Sequence, residues 1–110
     1  MDDLLARHCS EKPKGSPALS ATAAEGLRSQ LHADWRVAEE GRALTRTLAF
    51  RDYHEVMEFV NALAWISHRE DHHPDLSVHY NKVVVRYSTH SVGGLSENDF
   101  ICAAKLDALL

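Results

Sequence analysis

A chain of 110 residues supplies one domain with a modest core. Its 45% hydrophobic and 25% charged residues fit a folded globular protein and exclude a wholly disordered one. A formal net charge of -4 with no basic stripe argues against nucleic-acid binding, and no apolar run approaches the ~20 residues that a membrane span requires.

The acidic start, Met1-Asp2-Asp3-Leu4-Leu5, lacks the apolar region of a signal peptide, so a cytoplasmic protein is expected. Residues 1–18 read as a flexible tail, because Ser10 to Pro17 is polar and turn-prone; the folded domain is expected over 19–110. The two cysteines, Cys9 and Cys102, are too few and too far apart for a disulfide framework and are expected to be reduced thiols.

A first helix is predicted over Thr22–His32, with Thr22 and Glu25 in the pattern of a capping box. Two strands follow, Trp35–Glu39 and Arg42–Phe50, joined by a turn at Glu40-Gly41. In the second, Leu44, Leu48 and Phe50 share one parity and would face a core. Asp52 caps the clearest helix, whose stripe is Val56, Phe59, Val60, Leu63 and Ile66; Pro74 forces its end near Asp71 or His72. A second strand pair, Leu76–Tyr80 and Val83–Thr89, turns at Asn81-Lys82. After Gly93-Gly94, Ser96 opens a final helix running to about Leu109, with Asp99 three residues into it. That helix is apolar almost all round, which hints at a subunit interface. The order implies an α+β fold: a four-stranded antiparallel sheet with three helices packed on one face.

Eight histidines are the unusual feature of the composition. The informative stretch is His68-Arg69-Glu70-Asp71-His72-His73-Pro74. His68 and His72, four apart, would share a helix face; His73 sits at the helix exit and His90 at a strand end. Helix and strand ends running into loops are positions from which side chains converge on a pocket. Spacing alone leaves three readings open: solvated surface histidines, a metal site completed by His90 or Asp71, or a general acid–base site. The usual zinc signatures are absent, and no serine or cysteine carries a nucleophile motif.

Four pieces in order carry a resemblance: Asp71-His72-His73-Pro74, Tyr80-Asn81-Lys82-Val83, Ser88-Thr89-His90 and Gly94-Leu95-Ser96-Glu97-Asn98-Asp99. From about Leu19 to the C-terminus the chain resembles the pterin-4a-carbinolamine dehydratase family, also known as dimerization cofactor of hepatocyte nuclear factor. The resemblance implies loss of water from a 4a-hydroxytetrahydropterin to give a quinonoid dihydropterin, in recycling of the cofactor of aromatic amino-acid hydroxylases. It implies that His72, His73, His90 and Asp99 are catalytic, and that Asp71, His72, His73, Ser88, Thr89, His90 and Ser91 contact the pterin. It implies no metal and no cofactor, the pterin being the substrate, and a homo-oligomer, dimer or tetramer. The alternative is a non-catalytic dimerisation or regulatory binding protein of the same fold. Two positions depart from family habit: His68 stands where many members carry glutamate, and Asn98 where some carry arginine.

Overall fold

A computed structural model describes residues 3–110. Met1 and Asp2, the first residues of the expected tail, lie outside the described residues. Helix α1 spans Ala21–Arg28, strand β1 Arg36–Ala38, strand β2 Ala43–Ala49 and helix α2 Tyr53–Glu70. Strand β3 spans Asp75–Val78, strand β4 Lys82–Tyr87 and helix α3 Glu97–Asp107. The four strands form one antiparallel sheet in the order β1-β2-β4-β3. The α+β architecture is therefore the one expected.

Register decides which face is buried. Leu44 lies opposite Tyr87, Arg46 opposite Val85 and Leu48 opposite Val83, so these six side chains share one face. All six are buried, with Val56, Phe59 and Leu63 of α2 and Phe100, Ile101 and Leu106 of α3 in the same core. On the other face Thr47 is exposed, and Thr45, Val84 and Arg86 are only partly covered.

The helices begin where side chains can satisfy their first N–H groups. Asp52 accepts from the Glu55 N–H at 3.0 Å at the start of α2. Ser96 and Asp99 form a full capping box on α3. On α1 the cap is Ser20, which accepts from the Ala23 N–H, so that helix starts one residue before the Thr22 expected and stops at Arg28 rather than His32. Between β1 and β2, Glu39, Glu40 and Gly41 all take positive φ, which shortens both strands relative to expectation.

Residues 3–17, read from sequence as a tail, are laid against the domain. Leu4 is buried in the main core from a single 3-10 turn, Leu4–Ala6, beside α3. The physical reason is α3 itself. Its residues Phe100, Ile101, Cys102, Ala103 and Leu106 are all buried within this one chain, because the sheet, α1, α2 and the N-terminal arm surround it. The all-round apolar character that hinted at a subunit interface is thus accounted for inside the protomer.

One polar knot closes the far end of α3. Asp107 accepts from Arg46 Nη1 at 2.6 Å and from the Trp35 indole N–H at 2.9 Å, while the Trp35 ring packs 6.2 Å from Tyr87. Arg46 is nearly buried, so removing the carboxylate strands a cation. Asp107→Ala is expected to cost about 3 kcal/mol of stability, read as a lower urea midpoint; an unchanged midpoint would contradict this role.

Candidate active site

Helix α2 ends abruptly. Asp71, its C-cap, takes φ 51 and ψ 43, a left-handed conformation that aspartate tolerates better than most residues. This turns the chain off the helix, so His72 is no longer on the helical face of His68. The two histidines, expected to share that face, part company: His68 stays on α2, exposed and stacked on Trp65 with ring centroids 5.8 Å apart. His72 instead turns inward, its side chain 12% exposed.

There His72 Nε2 meets Asp99 Oδ1 at 2.6 Å. Asp99 is wholly buried. Its other oxygen, Oδ2, accepts from the Thr89 hydroxyl at 2.8 Å and from the Ser96 N–H at 3.0 Å. The Thr89 oxygen in turn lies 2.8 Å from the Ser96 hydroxyl, which accepts from the Asn98 N–H. Because Thr89 gives its proton to Asp99, the Ser96 hydroxyl donates to Thr89, and the chain of donors runs one way into the carboxylate. A carboxylate that receives the Thr89 hydroxyl and the Ser96 N–H is best matched by a His72 that carries its ring proton on Nε2. The neutral imidazole then presents its lone pair at Nδ1.

The ring of His72 rests on Tyr87, with centroids 5.9 Å apart and planes 10° from parallel. Burial pushes the Tyr87 hydroxyl far above its ordinary pKa, so the platform stays neutral. Thr89 is fixed from the strand side by a bridge to Gly94. A side chain at Gly94 would sit 3.2 Å from the Ala18 Cβ, which explains a glycine at this close approach.

These residues open onto a cavity of about 690 Å³ lined in part by Asp71, His72, His73, Ser88, Thr89, His90 and Ser91. Every expected pterin-contacting residue thus lines this cavity, while the buried Asp99 lies behind it, bonded to two of the lining residues, His72 and Thr89. His73 and His90, both exposed, also border an adjoining hollow with Asp75, Arg86 and Ser88 on the open sheet side. His68 lines neither. Among the described residues no group of three or more His, Cys, Asp or Glu side chains is arranged to hold a metal ion.

The family model for pterin 4 alpha carbinolamine dehydratase matches residues 17–109. The chain belongs to this family. A relative from Xanthomonas oryzae pv. oryzae (strain MAFF 311018), bearing the name of a pterin-4-alpha-carbinolamine dehydratase, is 76% identical over 71 residues, 64% of this chain and 60% of that protein. One from Stenotrophomonas maltophilia (strain K279a), under the same name, is 71% identical over 75 residues, 68% of this chain and 65% of its own length. The matched segment thus spans less than two thirds of these relatives. Among solved structures, a transcriptional coactivator/pterin dehydratase from Brucella melitensis superposes with a TM-score of 0.79 at 29% identity, covering 84% of this chain and 97% of that one. A pterin dehydratase-like protein described as a RuBisCO assembly factor in the alpha-carboxysome gives 0.62 at 26% identity, over 71% and 90%.

Seven lining residues lie outside the expected set: Arg69, Glu70 and Asn98 and, from the N-terminal arm, Cys9, Ser10, Glu11 and Lys12. No local pattern marks the arm residues. Their partners are distant in sequence, chiefly Glu70 and Asn98. Burial pushes the Glu70 carboxyl upward, but the Cys9 N–H, His8 and Lys105 outweigh it and hold the group below the usual glutamate range. A depressed carboxyl contributes stability that is present above the ordinary pKa of about 4.3 and is lost as pH falls through the lowered value. Glu70→Gln keeps an acceptor for Cys9 but removes this dependence. The stability gap between wild type and Glu70→Gln is expected to be widest near neutrality and to close in acid, measured by urea midpoints from pH 6 to 3.

Proposed function

We propose that this chain is a dehydratase that removes water from a 4a-hydroxytetrahydropterin by histidine general acid–base catalysis, with the pterin as substrate and no cofactor. The observation that carries the reading is His72, held through Nε2 by a buried carboxylate at 2.6 Å, in a cavity it shares with His73 and His90. A volume of about 690 Å³ suits a small bicyclic ligand.

The chemistry needs one acid and one base. The C4a–O bond breaks as a proton reaches the leaving hydroxyl, water departs, and a ring N–H gives up its proton to leave the quinonoid dihydropterin. His72, with Nε2–H committed to Asp99, offers Nδ1 as the base, and Asp99 stabilises the imidazolium that forms. His90, exposed and lining the same cavity, is the acid, and His73 positions the hydroxyl. Asp99 and, beyond it, Ser96 act through His72, while Thr89 both braces Asp99 and lines the cavity. Recycling of a hydroxylase cofactor and assembly into a homo-oligomer are parts of the same proposal, carried by the family resemblance.

The test is the dehydration rate of enzymatically generated 4a-hydroxytetrahydropterin, followed by ultraviolet absorbance with and without chelator. Fast turnover that chelator leaves untouched is expected. His72→Ala and His90→Ala should each lower kcat by about 10²-fold or more, and Asp99→Asn by a similar factor. A wild-type rate no faster than the spontaneous reaction would overturn the reading in favour of a non-catalytic binding protein of the same fold.

A further inference from the structure

Two buried polar side chains flank the His72–Asp99 pair in sequence without joining it. Glu70 precedes His72 by two residues and Asn98 immediately precedes Asp99; they are 9% and 6% exposed. Both turn away from the pair and grip the N-terminal arm. Glu70 Oε1 accepts from the Cys9 N–H at 2.7 Å, and its Oε2 pairs with His8 Nδ1 at 3.0 Å. Asn98 Oδ1 accepts from the Ser10 N–H at 3.1 Å while its Nδ2 donates to the Ser10 carbonyl at 2.8 Å. One side-chain amide thus satisfies both backbone groups of one arm residue. The docked arm thus supplies the hydrogen-bond partners that these buried side chains need.

Packing reinforces the grip. Cys9 Sγ lies 3.5 Å from the buried Cys102 Sγ on α3, so the arm covers that thiol. Further along, the arm is held again: the Gly15 N–H donates to the Ser91 carbonyl, one residue beyond His90. The arm is therefore pinned at residues 8–10 beside the His72 wall and at Gly15 beside the His90 wall. The span between these pins includes Ser10, Glu11 and Lys12, which line the same cavity as the three histidines.

We propose that residues 9–12 of the arm are a substrate-contacting wall of the site, and that Asn98 is the positioning residue that holds this wall in place. The inference rests on the dehydratase reading for the identity of the substrate. The wall presents a hydroxyl, a carboxylate and an ammonium group to a pterin, a flat ring system rich in amide and amine donors and acceptors. It contributes to holding the substrate. The proton transfers belong to the histidines, so losing the wall weakens binding far more than it slows the chemical step.

The test uses the full chain with Ser10→Pro, which removes the arm's N–H, Asn98→Ala, which removes its partner, and the double variant. Kinetics give KM and kcat, fluorescence titration with an unreactive dihydropterin gives Kd, and peptide-resolved labelling by N-ethylmaleimide reports exposure of Cys102. Each single variant is expected to label Cys102 faster and to raise KM and Kd about tenfold, with kcat changed less than about twofold. The double variant should be no worse than the worse single one, because both break the same contact. Faster labelling with unchanged KM and Kd would overturn the wall. Unchanged labelling, or additive effects in the double variant, would overturn the role of Asn98. Ser10→Pro alone decides the matter if Asn98→Ala fails to fold. A wild-type chain that neither binds nor turns over a pterin would overturn the dehydratase reading and the wall with it; altered variants of an active wild type bear on the wall alone.

Discussion

A single buried carboxylate ties this fold to its chemistry. Asp99 is the third residue of α3, and one of its oxygens completes the capping box that starts the helix. The same oxygen takes the Thr89 hydroxyl from the end of the second hairpin, and the other takes His72 from the end of α2. Helix start, strand exit and helix exit thus meet on one group. A buried carboxylate is tolerable only when it is well supplied with hydrogen-bond partners, and here three engage it. The cavity takes its form from this convergence, since the residues on either side of His72 and Thr89 become its lining.

This double duty has a consequence for how the site is held. The imidazole is oriented from behind by the carboxylate and from below by the Tyr87 ring, both wholly buried and both set on the core face of the domain. His73 and His90 have no such anchors and remain exposed. The site therefore combines one histidine braced by buried groups with two that are exposed.

Much of this was legible in the sequence, because much of it is local. The Asp52 cap, the apolar stripe of α2, the hairpin turns and the Ser96-to-Asp99 box are all written within a few residues of where they act. The cavity wall from Asp71 to His73 and from Ser88 to Ser91 was readable from motif pieces in a fixed order. What escaped was non-local or conformational. Pro74 predicts an end to α2 near Asp71 or His72, and the helix stops at Glu70, where the left-handed Asp71 parts His72 from the face of His68. The arm has no period to announce it; its docking depends on Glu70 and Asn98, more than sixty residues away. The apolar girth of α3 is covered in part by that arm, through Leu4 and Cys9.

Nitrogen-15 NMR of the histidine side chains reads the orientation of His72 directly. With the neutral ring at His72, the account predicts a protonated Nε2 and a bare Nδ1, and an Nδ1 signal that shifts when an unreactive dihydropterin is added. A His72 protonated at Nδ1, or one whose Nδ1 ignores the ligand, would contradict it.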